Sequence, residues 1–134
     1  MAAEARISEL IAASAAARES AYVPYSGFAV GAALLASNGT VYTGCNVENA
    51  SYGLTVCAER NAVFHAVVSG ARDFLAVAVV TANGGAPCGA CRQVLSEFSP
   101  TMTVITSDMA GNRRVYTLSE LLPDAFGAAD LGQK

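Results

Sequence analysis

Three cysteines and one glutamate place the strongest constraint on how this chain folds. Cys57 and Glu59 lie in one segment, and Cys88 and Cys91 follow about thirty residues later. Three thiolates can hold one zinc ion and leave its fourth coordination position open, while a glutamate works beside the metal without binding it. Such a site requires a fold that brings the two segments together at one point. The pattern therefore predicts a zinc site that activates water.

Both cysteine-bearing segments are predicted to lie at the starts of helices. Cys57 opens a helical pattern that ends at Gly70, whereas Cys88 and Cys91 follow Pro87 in the first turn of a second short helix. Positions three apart on a helix face the same way, so both sulfurs of the second segment can reach one ion. Helix N-termini also carry partial positive charge and free backbone N–H groups, which lower thiol pKa values.

Three other interpretations of these cysteines stay open at this point. They can be ordinary buried side chains, because cysteine often behaves as a small hydrophobic residue. They can form a closed four-cysteine zinc site with Cys45, although such sites usually consist of two close pairs. Cys88 and Cys91 can also form a redox pair, an interpretation that the nearby Cys57 and Glu59 weaken.

The apolar pattern along the chain predicts an α/β protein. The predicted elements, in order, are a helix over 4–20, strands over 28–36 and 41–47, a helix over 57–69, a strand over 75–81, a helix over 88–98, strands over 102–106 and 115–117, and a final short helix. Asn38-Gly39 joins the first two strands with the strongest short hairpin signal, so the sheet is mixed. Thr117 and Glu120 have the spacing of a capping box. We expect a three-layer α/β/α sandwich with a mixed five-stranded sheet, in a single domain spanning residues 1–134.

The composition points to self-association and to a small-molecule partner. The chain is 53% hydrophobic and 14% charged, against about 25% charged residues in an average soluble domain. One small domain cannot bury that much apolar surface alone, which predicts a homo-oligomer. The net charge is −3 and no basic run is present, so we expect no nucleic-acid partner.

The sequence also predicts a cytoplasmic protein without a membrane partner. No apolar stretch approaches the roughly 18 residues that a membrane-spanning helix needs. The first residues carry the acidic Glu4 where a secretory signal would be basic, and no apolar core follows immediately. In a reducing compartment, the four cysteines are better explained as metal ligands or free thiols than as disulfides.

Taken together, these motifs resemble the zinc-dependent cytidine deaminases, in particular their small homotetrameric branch with three cysteine ligands. Residues 25–32 look like the first strand of that family, and residues 44–53 look like its ribose-binding segment. The resemblance also lies in residues 57–60 and 87–93 around the metal and in residues 121–126 near the C-terminus. It covers nearly the whole chain. The wider superfamily often has histidine at the position of Cys57, and the cysteine here matches the three-cysteine subgroup.

The resemblance implies a function and a cofactor. The expected reaction is the hydrolytic deamination of cytidine and 2′-deoxycytidine to the uridine nucleosides and ammonia, as a step of pyrimidine salvage. One Zn²⁺ per subunit is implied, with Cys57, Cys88 and Cys91 as its ligands. Glu59 is implied as the proton shuttle between water, the pyrimidine N3 and the leaving amino group.

The same resemblance implies how the substrate is held. Asn46 and Glu48 are expected to bind the ribose, and Phe28 to stack on the pyrimidine ring. Tyr52 and Phe126 look like residues that complete the pocket from neighbouring subunits, which implies active sites shared within a homotetramer. The structural alternatives are a polar strand edge or loop cap for the first pair, and core packing for Phe28.

Arg60 is a candidate for compensating negative charge at the metal. Zinc at +2 with three thiolates leaves a net charge of −1, and a nearby cation would offset it. Arg60, beside Glu59, is the best candidate and Arg92 a weaker one; the alternative is a solvated helix arginine. The lone His65 is expected to be structural, and Cys45 to be a buried free thiol.

Two alternative functions remain at this stage. One is the deamination of a related small substrate such as the nucleoside antibiotic blasticidin S. The other is a zinc-binding module without catalysis, which would need a fourth protein ligand to close the site and would leave Glu59 without a purpose.

Overall fold

The computed structural model describes residues 4–132, so the two ends of the predicted 1–134 domain lie outside the described residues. Its main elements are α1 (Glu4–Arg18), β1 (Gly31–Ala36), β2 (Val41–Cys45), α2 (Ala58–Val68), β3 (Phe74–Val80), α3 (Gly89–Phe98), β4 (Thr103–Ser107), β5 (Arg113–Thr117) and α4 (Leu118–Leu121). Short 3₁₀ helices cover Tyr52–Leu54 and Ala128–Leu131. The predicted order of helices and strands is confirmed.

The five strands form one mixed sheet in the order β2-β1-β3-β4-β5. β3 and β4 are parallel, and the other neighbouring pairs are antiparallel. The hairpin predicted from Asn38-Gly39 joins β1 and β2, with Leu35 opposite Val41. Since Val80 pairs with Ser107, the carboxyl ends of the two parallel strands meet at one edge, where α/β proteins often place their sites.

Helices cover both faces of the sheet, which confirms the three-layer sandwich. Successive strand residues point to opposite faces. On one face, Ile7 and Leu10 of α1 pack with Leu35 of β1 and Ile105 of β4. The other face packs against α2 and α3, and its cluster includes Leu34, Ala62, Val63, Val77 and Leu95.

Two strand glycines let the helices approach the sheet closely. A Cβ built on Gly44 of β2 would lie 2.5 Å from the backbone nitrogen of Ala62 and 2.6 Å from the carbonyl oxygen of Ala58. On the opposite face, a Cβ on Gly31 of β1 would lie 1.9 Å from the carbonyl oxygen of Ser14 in α1. Gly44 therefore sets the distance between β2 and the first turns of α2.

The first strand begins later than predicted, at Gly31 and not at residue 28. The side chain of Asn46 causes the difference, because it replaces a strand partner. Its Oδ1 accepts the Val30 N–H at 2.9 Å and its Nδ2 donates to the Phe28 carbonyl at 2.9 Å. Gly27, at φ 69°, turns the chain just before this segment.

The remaining differences are small. α2 and α3 begin one residue after Cys57 and Cys88, which occupy the N-cap positions. In the predicted capping box, the Thr117 N–H donates to the Glu120 carboxylate at 2.7 Å. The turn between β4 and β5 is built on Asp108, whose carboxylate accepts two bonds from Asn112 and one from Ala110. Among the described helices, none has the length and apolar character needed to cross a membrane.

Candidate active site

The three cysteines predicted as metal ligands meet at the N-termini of α2 and α3. The Cys57 and Cys88 sulfurs are 3.8 Å apart, the Cys88 and Cys91 sulfurs are 3.4 Å apart, and all three lie within 4.8 Å of one another. Tetrahedral zinc with zinc–sulfur bonds of about 2.3 Å would separate its sulfurs by about 3.8 Å. The sulfur positions therefore fit one zinc ion with an open fourth position. Cys45 is not a member of this group within the described residues.

The two helix starts leave their backbone N–H groups free to face the sulfurs. Cys57 and Cys88 are N-cap residues, and neither side chain makes a capping hydrogen bond. The uncapped N–H groups and the helix dipoles favour negative charge at this point. The close approach of α2 to Gly44 fixes the height of Cys57 above the sheet.

The pKa values of the Cys57 and Cys91 thiols are shifted in opposite directions. The pKa of Cys57 is lowered to about 5, chiefly by hydrogen bonding with Cys91 and further by Arg60, although partial burial opposes the shift. The pKa of Cys91 is raised, because its thiol is the donor to Cys57 and is buried. Arg60 Nη2 donates to the Cys57 sulfur at 3.4 Å. Cys57 is thus more easily deprotonated than Cys91.

Arg60 lies against the sulfurs, as predicted for a charge-compensating cation. Its Nε is buried without a hydrogen-bond partner among the described residues. Arg92 lies differently. Its Nε donates to the Pro87 carbonyl at 2.7 Å and its Nη1 to the Leu121 carbonyl at 2.7 Å, which ties the start of α3 to α4.

Glu59 is a buried carboxylate at the base of a cavity. The residue is 4% exposed, and burial raises its pKa to about 7, with the charge of Cys57 acting in the same direction. The cavity holds about 360 Å³. Its lining residues are Phe28, Val30, Asn46, Thr55, Cys57, Glu59, Val79, Thr81, Asn83, Gly85, Ala86 and Cys88. A proton acceptor and two metal ligands therefore share one concave space.

Two predicted substrate residues line this cavity. Phe28 is 40% exposed, so its ring is available to a ligand and is not part of the core. Asn46 is buried, and its amide also bonds to the Phe28 carbonyl and the Val30 N–H. Asn46 thus orients the segment that carries Phe28.

Glu48 lies in a neighbouring cavity, which shares Thr55 with the catalytic one. Its carboxylate accepts the backbone N–H groups of Tyr25 and Ser26 at 3.0 and 3.1 Å and a short bond from the Ser26 hydroxyl. These hydrogen bonds lower the pKa of Glu48, and the bond from the Ser26 hydroxyl has the largest effect. The carboxylate is therefore a fixed negative charge beside the cavity.

Tyr52 and Phe126 lie outside the catalytic cavity of their own chain. Tyr52 is 74% exposed and contacts Tyr25 edge-on, with ring centroids 6.0 Å apart. Phe126 is 58% exposed, and its carbonyl accepts a hydrogen bond from Gln93 Nε2 at 2.9 Å. The structure does not bring either ring to Glu59 within one chain.

The remaining singled-out residues are structural in this fold. His65 Nδ1 is 3.1 Å from the Thr43 carbonyl, and the imidazole contacts the ring of Tyr42 edge-on. Cys45 is a half-buried free thiol.

Sequence reasoning missed Thr55, Thr81 and Asn83, which also line the cavity. Thr81 and Asn83 follow the carboxyl end of the parallel strand β3. Because α/β proteins often place site residues there, this position in the sequence could have identified both of them.

A three-thiolate metal centre beside a buried carboxylate, at the carboxyl edge of a mixed α/β sheet, defines a zinc-dependent hydrolytic enzyme. Comparison with known proteins identifies the family within this class of enzymes. The model of the cytidine and deoxycytidylate deaminase zinc-binding region matches residues 5–107. The chain belongs to this family, and its three-cysteine cluster holds one Zn²⁺.

Individual relatives are similar in sequence to this chain over most of its length. The cytidine deaminase of Sporosarcina psychrophila is 53% identical over 128 residues, which cover 93% of this chain and 94% of the relative. That of Halalkalibacterium halodurans is 56% identical over 118 residues, covering 86% and 89%. The crystal structure of cytidine deaminase from Burkholderia pseudomallei superposes with a TM-score of 0.86 at 56% identity, covering 89% of this chain and 98% of that one.

Proposed function

We propose that this chain catalyses the hydrolytic deamination of cytidine and 2′-deoxycytidine, releasing ammonia and the uridine nucleoside. The observation that carries the proposal is the buried Glu59 carboxylate in the same cavity as Cys57 and Cys88. The high identity to cytidine deaminases supports cytidine as substrate. The finer assignment to 2′-deoxycytidine rests on the motif resemblance.

Glu59 performs the proton transfers in this proposal. Zinc, when bound, lowers the pKa of water from 15.7 toward about 7 and so supplies hydroxide near neutral pH. Glu59 takes the proton from water and delivers it to N3 of the pyrimidine while oxygen adds to C4. Glu59 then takes a second proton from the hydroxyl now on C4 and delivers it to the amino group, so the C4–N bond breaks as the C4 carbonyl forms and ammonia leaves. One buried carboxylate within hydrogen-bond reach suffices for both transfers.

The substrate is held by residues around the cavity. Phe28 stacks on the pyrimidine ring, and its exposed ring in the cavity wall supports this role. The fixed carboxylate of Glu48 accepts hydrogen bonds from the ribose hydroxyls, and the Asn46 Nδ2 donates to them through the N–H that its bond to Phe28 leaves available. Arg60 offsets the excess negative charge of zinc bound to three thiolates, a role supported by its contact with Cys57.

The direct test is turnover of purified protein followed by ultraviolet absorbance. Cytidine, 2′-deoxycytidine, cytosine, dCMP and blasticidin S form the panel, and the two nucleosides are expected to react fastest. Glu59→Gln should keep the fold and one zinc per chain but lose nearly all turnover. Glu19→Gln, at an exposed glutamate just after α1, is the matched control and should stay fully active. Preferred turnover of blasticidin S, or full activity of Glu59→Gln, would contradict the proposal.

We further propose that the single-domain chain acts as a homotetramer with shared active sites, in the cytoplasm and in pyrimidine salvage, without nucleic-acid or membrane partners. The exposed rings of Tyr52 and Phe126 support completion of each site by neighbouring chains. The mass measured by light scattering should be about four times 13.7 kDa. An active species with the mass of one chain would contradict this arrangement.

Subunit mixing tests the crossing directly. Glu59→Gln and Phe126→Ala chains are each expected to be poorly active. If Phe126 acts across a subunit boundary, tetramers that contain both chains regain some sites with an intact Glu59 and an intact Phe126. Co-expressed mixtures should therefore be more active than the sum of the separate variants. Strict additivity would show that both residues serve the same chain's site.

A further inference from the structure

The loop between β3 and α3 forms one wall of the catalytic cavity. Asn83, Gly85 and Ala86 line the cavity, and the loop ends at the metal ligand Cys88. Residues 81–88 contain no helix or strand, so regular backbone pairing does not fix this wall. A loop that carries both wall and ligand needs another means of holding its shape.

The hydroxyl of Thr81 supplies that means. Thr81 is 4% exposed and also lines the cavity. Its Oγ1 donates to Asn83 Oδ1 at 3.1 Å and accepts the N–H groups of Gly84 at 2.8 Å and Gly85 at 3.1 Å. A hydroxyl has one proton and two lone pairs. These three bonds therefore use its full capacity within the loop.

Further contacts attach this network to the sheet and restrict the loop. The Thr81 backbone N–H donates to the Ser107 carbonyl at 3.1 Å, which continues the β3–β4 pairing by one residue. Asn83 Oδ1 also accepts the Gly85 N–H at 3.0 Å. Gly84 lies at φ 73°, a conformation that favours glycine. Thr81 thus links the wall to the sheet, and Asn83 Oδ1 adds one further bond within the loop.

We propose that Thr81 is a positioning residue for catalysis: its hydroxyl holds residues 83–86 as a preformed cavity wall, so that the pyrimidine nucleoside lies within reach of Glu59. This proposal rests on the function proposed above. Without the hydroxyl, the loop must be ordered when the substrate binds, and the reacting ring is less well placed.

Two substitutions at Thr81 separate the role of the hydroxyl from that of the rest of the side chain, and a third, at Thr106, is the control. Thr81→Val keeps the shape and removes the hydroxyl, whereas Thr81→Ser keeps the hydroxyl and removes the methyl group. Thr106→Val is the matched control, because Thr106 is a buried threonine of β4 outside the catalytic cavity. We expect Thr81→Val to lower kcat/KM for cytidine about tenfold, with KM rising more than kcat falls. Thr81→Ser and Thr106→Val should stay within about twofold of the unaltered enzyme.

Hydrogen exchange of the zinc-loaded proteins provides a readout independent of turnover. Amides of residues 82–86 should exchange faster in Thr81→Val and at the normal rate in Thr81→Ser. Thr81→Ala replaces Thr81→Val if the latter does not fold. Unchanged loop exchange, unchanged kinetics in the hydroxyl-free variant, or equal losses in Val and Ser variants would overturn the proposal. If the unaltered protein does not deaminate cytidine, the proposed function fails, while the exchange data still test the loop.

Discussion

The substitution Gly44→Ala tests whether the contact between β2 and α2 sets the geometry of the active site. The added Cβ would lie 2.5 Å from the backbone nitrogen of Ala62, whereas ordinary van der Waals contact begins at 3.4 Å. The backbone nitrogen of Ala62 cannot rotate away from the new Cβ as a flexible side chain could. Helix α2 must therefore move away from β2 by about 0.9 Å, the difference between these two distances. Cys57 and Glu59 move with the helix.

A displacement of this size should affect chemistry more than folding. Misplacing catalytic groups by about 1 Å can cost about 100-fold in rate, and overpacking typically destabilises by about 1–3 kcal/mol. We therefore expect kcat/KM for cytidine to fall about 100-fold in protein that still folds. Zinc affinity should also fall, because one of the three ligands shifts. Steady-state kinetics, metal analysis after dialysis and thermal unfolding measure the three effects.

Gly39→Ala is the control, since its cost is of a different kind. Gly39 lies at φ 91° in the β1–β2 turn with nothing within 4 Å of a built Cβ. Alanine there strains the turn and lowers stability without moving α2, so the folded enzyme should keep its activity and zinc. The reasoning is refuted if Gly44→Ala retains normal kinetics and zinc binding, or if Gly39→Ala loses activity to the same extent.

Three further substitutions give separate outcomes. Arg60→Gln should lower kcat about tenfold while one zinc per chain stays bound, because the guanidinium beside Cys57 offsets excess negative charge; normal kcat would contradict this. Cys45→Ser should leave the zinc content unchanged, as Cys45 lies outside the sulfur cluster, and metal analysis would reveal a loss. Asp108→Asn should lower the melting temperature at pH 7. Hydrogen bonds from Asn112 hold the pKa of Asp108 below its usual value of about 3.9. The stability that ionised Asp108 contributes is present above that value and is lost as pH falls through the lower folded pKa. The difference between the two proteins should therefore shrink as pH falls below the ordinary aspartate value, and a difference that stays constant through the acid range would count against the assignment.

The fold was largely predictable because its signals are local. Apolar runs, the Asn38-Gly39 turn and the helix starts at Cys57 and Cys88 lie in short stretches of sequence. The strand start was wrong by three residues for a long-range reason. Phe28 and Val30 look like strand residues, but the Asn46 side chain takes their backbone groups. Apolar periodicity contains no information about such a side-chain partner.

The clustering of the three cysteines was predictable, whereas the outer parts of the candidate site were not. Ligand spacing on a helix is a local property, so Cys88 and Cys91 could be paired from sequence alone. The Thr81 network depends on how one loop folds back on itself. Tyr52 and Phe126 are largely exposed within one chain, and their proposed contact with a neighbouring chain's site is not a local property that sequence patterns report.

The cysteine N-caps link the metal to the stability of the fold. Serine, aspartate or asparagine at an N-cap usually stabilises a helix by about 1 kcal/mol, and Cys57 and Cys88 make no such bond. Zinc also joins α2 and α3, which lie on either side of β3 in the chain, and so closes a loop that the apoprotein must hold by packing alone. Metal loading is therefore expected to stabilise the fold as well as to supply the activated water. Without the ion, neither helix start has a side-chain cap.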